Sequence, residues 1–149
     1  MTGLGNSPPR TPDRCERRER LTAQNTALRD DTDHMILDEA RALLAALRPR
    51  IDDFVSVRAD LAELQADLAM TGHSRHGGLA DAKALEARLY ADVEHFAEVG
   101  AEVKGFAPLL LDVPGERDGV PVLWCWLEGD DDIDWYHRLD TGFAGRRRV

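Results

Sequence analysis

Several kinds of chemistry are excluded by what this chain does not contain. It has two cysteines in 149 residues, Cys15 and Cys125. The first lies in a Pro- and Arg-rich leader and the second in a strand-like run. A structural disulfide between them is therefore not expected, and the pattern fits a reducing cytosol. No stretch approaches the ~18 consecutive apolar residues of a membrane span, and no N-terminal apolar run has signal-peptide length. These absences predict a soluble, cytoplasmic protein with no membrane partner. The short catalytic signatures are missing too: no G-x-x-x-x-G-K-S/T phosphate loop, no G-x-S-x-G elbow, no H-E-x-x-H zinc helix and no C-x-x-C pair. Aromatic residues are scarce at 6 %, yet all three tryptophans (124, 126 and 135) fall within one short block.

Basic residues are also in deficit, 19 against 28 acidic, for a formal charge of −9. In residues 1–33 six arginines offset six acids, so the whole excess sits on residues 34–149. An acidic body repels a phosphate backbone, which argues against nucleic acid as the main partner. The tail Arg146-Arg147-Arg148 is too short to reverse that field.

Length allows one domain. Residues 1–33 show no hydrophobic period and are rich in Pro, Arg, Asp and Thr, so they are expected to be a disordered extension. The ordered domain is expected over 34–149. Its first helix is expected over 37–70. The apolar positions Leu44, Leu47, Ile51, Phe54, Val57, Leu61, Leu64 and Leu68 form a near-heptad, coiled-coil-like seam with one short step at Phe54–Val57. Pro49 falls inside it, removes one backbone donor and crowds the carbonyl near Ala45, so a kink or break is expected there. The segment 71–78 (TGHSRHGG) reads as a turn. A second helix is expected over 79–99, with Leu85, Leu89, Val93, Phe96 and Val99 on one face, closed by Gly100.

The second helix and the post-proline part of the first have matching lengths, roughly 31 and 33 Å at 1.5 Å per residue. They should pair as an antiparallel hairpin. The pre-proline part then overhangs, and its leucines Leu43, Leu44 and Leu47 need cover from the C-terminal sheet or from a second subunit.

After Gly100 the period changes. Strands are expected near 109–113, 120–127 and 133–139, joined by turns at 115–119 and 129–132, giving a three-stranded antiparallel meander over 109–139 and a tail over 140–149. The predicted fold class is thus α+β, a helical hairpin with a small sheet. A four-residue loop at 129–132 pairs Trp126 with Trp135, Trp124 with His137 and Cys125 with Tyr136. The three tryptophans then share one face, and Cys125 and His137 take opposite faces. A slip of one residue would exchange the faces.

Among candidate functional residues, His137 stands out. Asp140 is three residues further on and Asp112 and Arg146 lie in neighbouring segments, a set suited to orienting an imidazole or holding a small anion, with metal as a variant. No dedicated metal ligand set is assigned. His73 and His76 sit in a glycine-containing loop and read as surface histidines. Glu94 and His95 are adjacent, about 100° apart on a helix, and do not form the repeat of a di-iron bundle.

The C-terminal motifs carry a family resemblance. Leu37-Asp38-Glu39-Ala40, Leu43-Leu44, Pro49, Gly77-Gly78, Val103-Lys104 and Leu111-Asp112-Val113-Pro114 are its first part. Gly119, Val120, Val122, Leu123, Cys125, Trp126 and Gly129 form the second. Trp135, His137, Asp140, Gly142, Phe143, Gly145 and Arg146 form the third. On these positions residues 34–149 resemble the bacterial family catalogued as domain of unknown function 2203. Asp130 and Arg138 stand where that family usually has glutamate, Val113 where it has phenylalanine, and Ile36 where it has a helix-capping Ser or Thr. The resemblance implies long helices with a small sheet and implies no reaction, cofactor or ligand. The leading expectation is a non-enzymatic assembly or interaction module that forms a homo-oligomer through Leu43, Leu44 and Leu47 and the aromatic sheet face. The alternative is a small-anion or metal-binding protein, or an enzyme, with a site at the sheet rim formed by Asp112, His137, Asp140 and Arg146.

Overall fold

The computed structural model describes residues 35–149. The extension expected to be disordered, and Cys15 within it, lie outside the described residues. Helix α1 spans Leu37–Thr71 and buries Leu44, Leu47, Ile51, Phe54, Val57, Leu61 and Leu64 of the seam read from the sequence, with Ala40 buried one turn ahead of it and Leu68 half-buried at its end. Ile36 has no side-chain oxygen to cap the helix. Half of a capping box remains: the Ile36 N–H donates to Glu39 Oε2 at 3.0 Å. Gly72, at φ 75°, closes the other end by donating to the Leu68 carbonyl at 3.1 Å.

Of the kink or break expected at Pro49, the break does not occur: α1 runs through it as one element. Pro49 and Ala45 are both on the exposed side. The ring therefore projects to water, and the carbonyl that loses its helical donor is on the solvent face, where water can satisfy it.

Helix α2 spans Leu79–Glu98 and starts with the Gly78 N–H donating to Asp81 Oδ2 at 2.8 Å. It packs on the post-proline half of α1 as a hairpin. Phe54 meets Phe96 edge to face at 6.0 Å between centroids, and the buried Asp92 accepts from Arg50 Nε at 2.7 Å.

Five strands follow: β1 (Glu102–Phe106), β2 (Leu109–Arg117), β3 (Val120–Leu127), β4 (Trp135–Arg138) and β5 (Arg147–Arg148), paired antiparallel in the order β1-β2-β3-β4-β5. A 3-10 turn, Phe143–Gly145, separates β4 from β5. The sequence predicted three strands. The two it lacked are the edges: β1 is five residues with a glycine and a register irregularity, and β5 is two residues inside the basic tail. Neither carries a hydrophobic period long enough to register. The 115–119 turn is shorter than expected. Strand β2 continues through Gly115 to Arg117, and the hairpin turns at Asp118 and Gly119, both at positive φ (54° and 78°). Gly115 is needed there because a Cβ would overlap the Met35 carbonyl and the Trp124 indole nitrogen.

The helices cover one face of this sheet. Leu109, Leu111, Val113, Val122, Trp124 and Trp126 join α1 and α2 in one core. The leading turns of α1 are fastened to the β3–β4 connection. Arg41 Nη2 donates to the Ile133 carbonyl at 2.9 Å, while Arg48 lies 5.1 Å over the Trp126 ring and donates to the carbonyls of Asp130 (3.0 Å) and Asp131. Leu44 (4 % exposed) and Leu47 (5 %) are thereby buried by the chain's own sheet, with Leu43 half-buried beside them. Further along α1, Arg58 bridges Glu128 with two bonds of 2.7 and 2.6 Å and also donates to the Phe106 carbonyl at 2.7 Å. Glu128 in turn accepts the Leu109 N–H at 2.7 Å. This bolt ties α1 to three strands and was not foreseen.

The β3–β4 register differs by one residue from the predicted one. Trp124 faces Tyr136, Cys125 faces Trp135 and Leu123 faces His137. The connection is not a four-residue hairpin. Trp126 Nε1 and the Leu127 N–H both bond within it, to the Asp130 carbonyl (2.9 Å) and Asp130 Oδ2 (3.2 Å), and Ile133 is drawn fully into the core. Strand β4 therefore begins at Trp135. The three-tryptophan slab is split: Trp124 and Trp126 face the helices with Tyr136, and Trp135 faces outward.

Candidate functional site

The one-residue slip puts the functional candidates together on the outer face. One row crosses all five strands there: Glu102, Asp112, Cys125, Trp135 and Arg148, each opposite the next. A parallel row holds Pro114, Leu123 and His137. Strands β2 and β4 flank β3, so their backbones lie two spacings apart, ~9.6 Å. His137 nevertheless meets Asp112, Nε2 to Oδ2 at 3.1 Å, with both side chains buried. The two must arch over β3 to do so. Cys125 lies under that arch and is 1 % exposed.

Hydrogen-bond accounting fixes the charge of the pair. His137 Nδ1 lies 2.8 Å from the Arg138 carbonyl, an acceptor, so Nδ1 carries a hydrogen. One more proton sits between Nε2 and Oδ2. Whether it rides on the ring or on the carboxyl, the pair is neutral overall, as a buried pair must be to avoid a large desolvation cost. Asp112 Oδ1 is buried without a hydrogen-bond partner, on the strand residue directly opposite Cys125. Burial first, and then the negative charge of Asp112, push the Cys125 thiol up to about 12, with Arg146 opposing weakly. The thiol is held neutral and is not an activated nucleophile.

Arg146 comes onto the same face. Its guanidinium lies 4.1 Å from the Phe143 ring and 4.8 Å from the Trp135 ring, and Arg148 lies 5.2 Å from Trp135. Of the four rim residues expected from the sequence, Asp112, His137 and Arg146 share this face. Asp140 does not join them. Its carboxylate accepts from Arg138 Nη2 at 2.7 Å in an exposed pair. Cys125, Trp135 and Arg148 were missed, because their face depends on a register that only the β3–β4 connection sets. Among the described residues no three His, Cys, Asp or Glu side chains are grouped to hold a metal ion.

A family model described as an uncharacterized conserved protein (DUF2203) matches residues 35–149. The chain belongs to that family. The matched span begins just ahead of α1 and ends with the residue after β5. No curated protein and no solved structure matches the chain. In this member of the family, the positions that carried the resemblance converge: Asp112, Cys125, Trp135, His137, Phe143 and Arg146 all gather about the outer face of the sheet. No described helix is long and apolar enough to cross a membrane.

Proposed function

We propose that this protein is a non-enzymatic assembly module that self-associates through the outer face of its sheet. One observation carries the reading. An antiparallel sheet covered on one side normally turns polar residues to the other. Here the side that neither described helix covers presents Leu110, Pro114, Leu123 and Leu127, with Trp135 beneath Arg146 and Arg148, all five half-buried around the Asp112–His137 pair. Such a face favours cover. The neutral thiol and the self-paired imidazole support assembly over catalysis.

A second copy is the favoured occupant because the face complements itself. Its central row runs from acidic Glu102 on one edge strand to basic Arg148 on the other. A copy turned by 180° about an axis along the strands lays Glu102 of each sheet, which already pairs with Lys104 at 2.7 Å, over Arg148 of its partner, where the carboxylate can accept from both. The neutral centre lets two chains of charge −9 approach there. The buried free thiol of Cys125 suits a reducing compartment, and we assign the protein to the cytoplasm.

Sedimentation velocity over a micromolar concentration series tests the reading. The wild-type chain should sediment as a dimer that dissociates on dilution, and Leu123→Glu should be monomeric throughout. A wild-type monomer at every concentration, or a dimer that Leu123→Glu leaves intact, overturns it.

A further inference from the structure

The inner face of the sheet carries a separate feature at the end that the helices do not reach. The Met35 carbonyl lies over Gly115 and accepts from Trp124 Nε1 at 2.8 Å, and among the described residues the helix-side packing ends there. Beyond it the same face continues as Arg117, Val122, Tyr136, Arg138 and Arg147, placed by the registers Val122↔Arg138 and Tyr136↔Arg147. These residues, with His137 and Thr141, line a cavity of about 430 Å³.

The cavity is cationic in a protein that is not. Three guanidinium groups border it, against the single carboxylate of Asp118. The Arg117 guanidinium lies 4.5 Å from the Tyr136 ring, which takes up part of its freedom, and its contact with Asp118 is long at 3.8 Å. Arg138 is shared with Asp140 at 2.7 Å. Arg147 makes no ion pair among the described residues. Arg138 and Arg117 are partly compensated by Asp140 and Asp118 and Arg147 is not, so the hollow keeps a net positive charge that an anion placed among the three would satisfy. Guanidinium groups are suited to this because each offers a planar fork to two oxygens.

We infer that this cavity binds a small organic molecule bearing two acidic groups, phosphate or carboxylate. Two observations set that class. The volume lies within the range of small-molecule sites, ~300–1,000 Å³, and exceeds what one inorganic anion fills. The arginines stand on different strands around an apolar floor of Val122 and the Tyr136 ring, so acid groups at both ends of a short carbon or ring skeleton satisfy them together. A long polyanion would meet the acidic body that surrounds the site. The arginines stand on the side of the sheet opposite the proposed assembly face, and His137, whose Nε2 is engaged by Asp112 on that other face, closes one end of the cavity.

Isothermal titration calorimetry on the full chain tests this with inorganic pyrophosphate and with glutarate as the two probes. Saturable one-to-one binding of at least one probe is expected. Whichever binds more tightly identifies the acid group as phosphate or carboxylate. Arg147→Ala and Arg117→Ala should each weaken binding by about tenfold or more, the loss of one charge-assisted fork. Arg88→Ala, on the far helix where Arg88 pairs with Asp53, should leave it unchanged. Arg147 and Arg88 are exposed, so both variants retain the fold. Failure of both probes to saturate at millimolar concentration overturns the inference. So does wild-type affinity in Arg147→Ala, or tighter binding of a single-stranded RNA oligomer than of either probe.

Discussion

Replacing His137 by alanine should destabilise this protein far more than replacing both members of its pair. In the wild type, His137 and Asp112 are 3 % and 4 % exposed and satisfy one another above β3. Alanine at 137 removes the 2.8 Å bond to the Arg138 carbonyl and the 3.1 Å bond to Asp112. The first loss is small, because Arg138 is exposed and water can replace the ring. The second is large. Asp112 Oδ1 has at most the weak thiol donor of Cys125 beside it, so the variant leaves a buried carboxylate without a strong partner on either oxygen. Breaking a buried pair in this way costs about 3–5 kcal/mol. Asp112→Val is milder, about 1–3 kcal/mol, since a neutral imidazole keeps its bond to the carbonyl. The double variant Asp112→Val/His137→Leu removes both polar groups at similar volume and should lie within about 1–2 kcal/mol of wild type. Urea unfolding followed by tryptophan fluorescence measures all four corners of this cycle, provided the slope is unchanged. A second readout is chemical. In a Cys15→Ser background, His137→Ala opens the roof over Cys125, and its reaction with Ellman's reagent should accelerate. The reasoning is refuted if His137→Ala costs less than about 1 kcal/mol, or if the double variant is as unstable as the single.

Other outcomes follow from single contacts. Arg58 holds the Glu128 carboxyl below its ordinary 4.5, so the stability this bolt supplies is complete above pH 4.5 and is lost as pH falls through the lowered folded-state value. Melting curves between pH 3 and 7 should therefore show a smaller acid-side fall for Glu128→Gln than for wild type; equal falls would contradict the assignment. Gly115→Ala forces a methyl group into the Met35 carbonyl and the Trp124 indole and should cost about 1–3 kcal/mol in denaturant unfolding, whereas Gly129→Ala, with open space around it, should show only the penalty of its φ of 102°. A Gly115→Ala protein as stable as wild type would mean that Met35 does not lie where described.

The helices were legible because their apolar positions repeat often enough to be unambiguous. The α1 seam places its buried residues at steps of three and four, and no alternative element accounts for them. Pro49 did not end α1, because it faces solvent, where the backbone group left without a helical partner can bond to water. The strands β2 and β3 were legible from alternation, and the edge strands were not, being too short and too polar. The site failed at a single step. Which face His137 occupies depends on the length of the β3–β4 connection, and that length is set by Asp130 and Ile133, whose bonds and burial are tertiary facts. Period two makes the error total: one residue of slip moved Cys125 to the face of His137 and separated Trp135 from Trp124 and Trp126. Asp140 was placed by nearness in sequence, and its partner turned out to be Arg138, which the rim site had not included.

If the outer sheet face is the surface that meets a second copy, its leucines sense association directly. Methyl NMR of selectively labelled leucines, recorded over a concentration series, reports on it residue by residue. Leu110, Leu123 and Leu127 should shift with concentration, while Leu44, Leu61 and Leu64, on the core-facing side of α1, stay fixed. Concentration-independent spectra, or shifts confined to Leu61 and Leu89 beside the exposed Tyr90 and Phe106, would contradict it.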